Sequence, residues 1–120
     1  MHELALAESV VEIAVRHADG RHVEAVNLKV GRLRQVVPSA LEFAFELLAA
    51  GTVVEDAELR IEEIPVRVGC RACARENETD EFPLRCSSCG SLDVDVVGGE
   101  ELQVESLELE DEQTVAGKRR

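Results

Sequence analysis

The period of apolar and polar positions changes several times along this chain, and each change marks an element. From Glu3 to Ala18, Leu6, Val10, Ile13 and Ala14 recur at helical spacing while Glu8, Glu12 and Arg16 line the other side, which predicts an amphipathic helix ended by Asp19-Gly20. Glu12 and Arg16 form a favourable i, i+4 pair on it. From His22 to Val30 the period falls to two, with Val26, Leu28 and Val30 facing one way and Asn27 and Lys29 the other, a half-buried strand closed by Gly31. Pro38 suits the first position of a second helix, which runs to Ala50 and stops at Gly51. Leu41, Phe45 and Leu48 form its stripe, Phe43 and Leu47 widen it, and Glu42 and Glu46 are the wet edge. Both Phe, at helical spacing, read as core packing. Leu59 and Ile61 alternate with Glu58, Arg60 and Glu62 in a second strand that ends at Pro65. Leu102 to Leu109 alternates again as a third strand, although the apolar phase slips between Val104 and Leu107, which a bulge or an early strand end would explain.

Between the second and third strands lies a stretch with no such period, Cys70 to Gly90, and it holds all four cysteines. They form two C-x-x-C pairs, Cys70 with Cys73 and Cys86 with Cys89, separated by twelve residues. A C-x-x-C turn brings both sulfurs to one side of a tight loop, so two turns supply four ligands to one tetrahedral ion. A thiolate-only tetrahedron selects Zn(II) or iron over hard cations. Gly90 after the second pair lets the backbone fold back so that amide N–H groups point at sulfur, whereas Ala74 at the equivalent place predicts a looser first turn. Two disulfides, or buried free thiols, are the alternatives, and the absence of a secretory segment argues for a reducing compartment instead. A catalytic dithiol needs one such pair at the head of a helix, and neither pair has a helical run after it.

The α+β order that follows is two helices packed on a small three-stranded sheet, with an inserted zinc-ribbon-like four-cysteine module. Residues 1–65 and 100–109 are expected to form the α/β domain, 66–99 the zinc-binding domain, and 110–120 a disordered tail that is acidic first and basic last. The stretch Glu76 to Glu81 reads as a polar, acidic loop. So short an inserted module has too few large apolar residues to fold by burial alone, and structural zinc contributes roughly 10–16 kcal/mol of apparent binding free energy to such folds.

Charge narrows the partners. The net charge is −12, from 25 acidic and 13 basic residues, and the only aromatics are three Phe. Zinc ribbons often bind nucleic acid, but this chain lacks the basic stripe and the stacking aromatics that binding requires. Arg67, Arg71, Arg75 and Arg85 flank the cysteines and are expected to offset the anionic thiolates. No apolar run approaches the roughly 18 residues of a membrane span and no signal peptide precedes the first helix, so the expected location is the cytoplasm.

The chain begins Met1-His2-Glu3. A free α-amine, the amide nitrogen of residue 2 and the imidazole of His2 form adjoining chelate rings, and such nitrogen donors suit square-planar Ni(II) or Cu(II) better than tetrahedral Zn(II). The Glu3 amide or carboxylate is a candidate fourth donor. A solvated terminal residue of no consequence is the reading His2 would receive on position alone. His17 and His22, at a helix end and in the turn after it, read as ordinary surface residues.

Taken together, these pieces resemble the HypA/HybF nickel-incorporation proteins of hydrogenase maturation. The resemblance rests on MHELA from Met1, VGRLRQVVPSALEFAFELLAAGT from Val30 to Thr52, AELRIEEIP from Ala57 to Pro65, both C-x-x-C pairs, Cys89-Gly90-Ser91, and GEELQVES from Gly99 to Ser106. It implies a nickel-binding domain of two helices on a three-stranded sheet, a zinc domain, nickel carried by Met1, His2 and Glu3, and a structural Zn(II) held by Cys70, Cys73, Cys86 and Cys89. It further implies transfer of Ni(II) toward the hydrogenase large subunit with the HypB GTPase, and urease maturation as a second destination. Ser87 and Ala74 depart from the family's usual Pro and Gly.

The leading reading is therefore a metallochaperone without chemical turnover. Two others belong to different classes: a rubredoxin-like iron electron carrier, which leans on aromatics around the iron that this chain lacks, and a zinc-ribbon adaptor that binds a protein through its acidic face. An enzyme has little support, with no nucleophile beside a base and no phosphate-binding glycine loop.

Overall fold

A computed structural model describes residues 3–110 of the chain. Met1 and His2, and the expected tail beyond Glu110, lie outside the described residues. The elements are α1 (Glu3–Ala18), β1 (Val23–Gly31), a 3-10 turn (Arg32–Arg34), α2 (Pro38–Ala49), β2 (Glu58–Ile64), β3 (Arg67–Cys70), β4 (Glu76–Glu78), β5 (Val94–Gly98) and β6 (Leu102–Leu109). The α+β class and the three-stranded sheet stand, the latter in the order β2-β1-β6. A second three-stranded sheet, β4-β3-β5, was not foreseen.

The chain divides into two compact units. One holds residues 3–28, Val36–Ile61 and 103–110. Here α1 packs against α2, burying Leu6, Ala7, Val10, Val11, Ala14 and Ala18 on one side of α1 and Leu41, Ala44, Phe45 and Ala49 on one side of α2. Pro38 opens α2 with its fixed φ, and Gly51, at φ 80°, lets the chain turn away after it. The N-terminus of α2 has no side-chain cap of its own; the Glu3 carboxylate, in the first turn of α1, accepts the Val37 N–H at 3.1 Å instead. Strand β6 runs unbroken through its phase slip, with Glu105 and Ser106 successively exposed, so the early strand end is set aside.

The other unit holds Lys29–Gln35 and Glu62–Leu102. Its sheet is antiparallel, with Val68 opposite Asn77 on one side and opposite Val96 on the other. Val66 and Val68 are fully buried, a small core for so many residues. Gly31 reaches its neighbours through backbone alone: its N–H donates to the Glu101 carbonyl at 2.6 Å, and a Cβ there would run into the Gly99 carbonyl. The expected loop Glu76–Glu81 is corrected over its first three residues, which form β4. Three polar residues show no alternation of their own; they become a strand because Arg67–Gly69 offers a paired edge, with Arg67 held between Glu76 at 3.8 Å and Glu78 at 3.6 Å.

Candidate metal centre

The two C-x-x-C turns are built alike. In the first, Cys70 ends β3, the Cys73 N–H points at Cys70 Sγ at 3.4 Å, and the Ala74 N–H closes onto the Cys70 carbonyl at 2.9 Å. In the second, the Cys89 N–H points at Cys86 Sγ at 3.5 Å and the Gly90 N–H closes onto the Cys86 carbonyl, again at 2.9 Å. Gly90 sits at φ 79° and Ala74 at φ 63°. Ala74 therefore does not loosen its turn. It takes the left-handed conformation that glycine takes more cheaply, and the closing bond is the same length.

The turns face each other so that sulfur meets sulfur across them. Cys70 and Cys89 are 3.6 Å apart at Sγ, Cys73 and Cys86 3.7 Å, and all four sulfurs lie within 4.8 Å of one another. A regular tetrahedron with metal–sulfur bonds of about 2.3 Å has edges of about 3.8 Å. None of the four is in a disulfide, which would need an S–S length of about 2.05 Å. This donor set fits one tetrahedral thiophilic ion, and it leaves no coordination position open. Among the described residues it is the one cluster of metal-ligating side chains.

The polarity around the sulfurs comes from amides rather than from the arginines. Arg71 pairs with Asp93 at 2.7 Å and with Asp95, Arg67 with the β4 glutamates, and Arg85 with Glu81 at 3.9 Å. Those three cations are spent on carboxylates, because the module is rich in acids, whereas Arg75 has no carboxylate partner among the described residues. Asp93 and then Asp95 hold the Arg71 guanidinium above its ordinary pKa. In the metal-free protein the Cys89 N–H outweighs burial and, with the Ser88 N–H and the Asn77 amide, brings the Cys86 thiol down to about 6. For Cys73 the Arg75 N–H acts downward, but burial and the neighbouring sulfurs prevail and push it up to about 11. Cys89 is also raised, the Cys70 sulfur and burial overcoming the Ser91 N–H.

Asn77 is the residue that sequence reasoning missed. From β4 its Nδ2 donates to Cys86 Sγ at 3.3 Å while its Oδ1 accepts the Ser87 N–H at 3.0 Å. One amide thus fixes a ligand and the backbone that follows it. The signal was faint: a lone carboxamide between two glutamates, four residues after the second cysteine.

Of the residues read as nickel donors, only Glu3 is described, and its carboxylate is engaged at the start of α2. His17 and His22 are exposed, as expected; the His22 ring lies 3.2 Å from the Glu55 carbonyl and 3.6 Å from the Glu110 carboxylate.

Against this geometry, the family model described as hydrogenase/urease nickel incorporation, metallochaperone, HypA matches residues 1–109. The chain belongs to the HypA family. The hydrogenase maturation factor HypA of Geobacter metallireducens is 45% identical, covering 92% of this chain and 100% of its own length. That of Streptomyces avermitilis is 44% identical over 99% of this chain and 95% of its own. Among solved structures, the solution structure of the Ni metallochaperone HypA from Helicobacter pylori superposes with a TM-score of 0.67 at 26% identity, covering 91% of this chain and 97% of that one. The HypA family is one of metallochaperones for nickel incorporation in hydrogenase or urease maturation, and the four sulfurs have the spacing of a group that could hold a metal ion. Among the described residues, no helix is long and apolar enough to cross a membrane.

Proposed function

We propose that this chain binds Ni(II) at its amino terminus and delivers it for maturation of nickel–iron hydrogenase, while a second, structural Zn(II) stays with the fold. The cargo is taken by Met1, His2 and Glu3, whose amine, amide and imidazole nitrogens suit a square-planar ion. Zinc is held by Cys70, Cys73, Cys86 and Cys89 and supplies folding free energy to a module whose own core is small. The observation that carries this reading is the closed sulfur tetrahedron. It spends every cysteine on one ion, so a second ion that must be released has to use donors other than thiolates.

On this reading there is no chemical turnover. The partners are the HypB GTPase and the hydrogenase large subunit, with urease maturation proteins as a second destination, and the place of work is the cytoplasm. Neither nucleic acid nor membrane is engaged.

Nickel titration of protein with an untagged terminus tests it. His2→Ala, or one residue added ahead of Met1, is expected to abolish tight binding while metal analysis still returns one zinc per chain. Unchanged nickel affinity in both variants would remove the terminus from the mechanism. A red, redox-active iron protein would replace the zinc assignment with the electron-carrier reading.

A further inference from the structure

Helix α2 puts its two Phe to different uses. Phe45 is 1% exposed, whereas Phe43 is 63% exposed and Leu47, one turn further on, 60%. The expectation that both aromatics belong to the core is corrected: a helix packed on one side has room for one stripe, and residues two positions apart point about 200° from each other. Phe43 and Leu47 make an apolar column on the outer side.

Beside that column runs an acidic one. Glu42 and Glu46 lie i, i+4 between the buried Phe45 side and the exposed Phe43 side, and neither has a partner among the described residues. Some acids elsewhere are matched, Asp93 and Asp95 by Arg71, Glu76 and Glu78 by Arg67. Helix α2 carries no Lys, Arg or His at all. Beside the acidic column a cleft of about 210 Å³ opens toward β2, lined by Glu42, Phe45, Glu46, Ala57, Glu58 and Leu59. Like charges at i, i+4 and an exposed aromatic both work against the isolated fold, and nothing among the described residues offsets them.

We propose that this face of α2 docks a basic amphipathic helix of a protein partner. Its apolar side chains, spaced i, i+4, cover Phe43 and Leu47; its Lys or Arg heads meet Glu42 and Glu46, with their aliphatic stems laid into the cleft. Charge selects this occupant over a second copy of the chain, which would bring two such acidic columns together on molecules of net charge −12. The chain's own Lys118-Arg119-Arg120 supplies cations, but residues 111–120 contain no i, i+4 apolar pair. The proposal stands whether or not the amino terminus carries nickel, and its test reads no nickel.

The probe is a labelled peptide of about 18 residues, Leu at helical i, i+3, i+4, i+7 positions and Lys elsewhere, against a scrambled peptide of equal composition. The full chain is expected to bind the amphipathic peptide about tenfold more tightly than the scrambled one, and Phe43→Ala with Leu47→Ala to erase that difference. Amide shifts should centre on residues 42–47, and Glu42→Gln with Glu46→Gln should flatten the salt dependence. Equal binding of both peptides, or no effect of the Phe43/Leu47 variant, would overturn the proposal, as diffuse attraction to an acidic surface. So would a dimer in light scattering that this variant dissolves, or a large gain in peptide affinity on ending the chain at Glu110, since these assign the face to a second copy or to the chain's own end.

Discussion

Asn77 donates through Nδ2 to Cys86 Sγ at 3.3 Å, from a strand that precedes the second knuckle, and among the described residues it is the one side-chain amide hydrogen-bonded to a sulfur. Its oxygen is occupied at the same time by the Ser87 N–H. Asn77→Asp is nearly isosteric: it keeps the acceptor for Ser87 but places an anion against a thiolate. Zinc transfer to a chelator is expected to run about tenfold faster in this variant, and the charge-transfer bands of the cobalt-substituted protein to shift. Equal transfer rates would show that the contact with sulfur is incidental.

Ala74 holds a left-handed conformation in the first knuckle, with its N–H closing onto Cys70 at 2.9 Å. Ala74→Gly removes the Cβ that opposes this conformation, so the zinc-loaded protein should gain about 1 kcal/mol. The unchanged side-chain-free turn at Gly90 serves as the internal reference. Chemical denaturation of the holoprotein reads the difference; a loss of stability would mean that the unfolded chain's added freedom outweighs the relief.

Zinc uptake should be steeply pH-dependent. The metal needs thiolates, and in the metal-free protein Cys73, at about 11, and Cys89, also raised, are protonated near neutrality, whereas Cys86, at about 6, is not. At least two protons must therefore leave when the ion enters, so affinity rises with pH by roughly 100-fold or more per unit around pH 7. Below about 6 Cys86 holds its proton as well, and the slope steepens by a further factor of ten per unit. Chelator competition at a series of pH values gives the slope directly. One proton or fewer at pH 7 would contradict the assigned order of the thiols.

Glu3 links the start of α1 to the start of α2 through the Val37 N–H at 3.1 Å. Glu3→Ala leaves that amide without its acceptor and should cost about 1 kcal/mol in urea unfolding, whereas Glu3→Gln, which keeps an acceptor oxygen, should cost less than half as much. Equal losses would mean that the negative charge, not the hydrogen bond, is what α2 uses.

Gly31 lies against the Gly99 carbonyl with no space for a side chain. Gly31→Ala must displace backbone on both sides, and about 3 kcal/mol or more of stability should be lost. Circular dichroism melting would show it, and a melting curve like that of the unaltered protein would place a different conformation at this junction.

Most of the element plan was legible because it is written in period: 3.6 for α1 and α2, two for β1, β2 and β6. The metal cluster was legible for a different reason, since two C-x-x-C turns permit few arrangements other than sulfurs converging on one point. Nothing comparable announced β4. Its three residues are all polar, and pairing with β3, not burial, makes them a strand.

What the sequence by itself determined, then, is the run of α1, β1, α2, β2 and β6 and the gathering of four cysteines in two C-x-x-C turns. What only the tertiary structure decided is which side of each element is covered. Phe43 and Phe45 are the same residue type on one helix, separated by burial alone because α1 packs against one side of α2 and nothing described packs against the other. Asn77 follows the same rule: its carboxamide reaches sulfur only because the pairing of β4 with β3 sets that strand beside the second knuckle. Local pattern sets conformation; the partner that arrives from elsewhere sets the environment, and environment is what converts a side chain into a ligand support or an exposed docking surface.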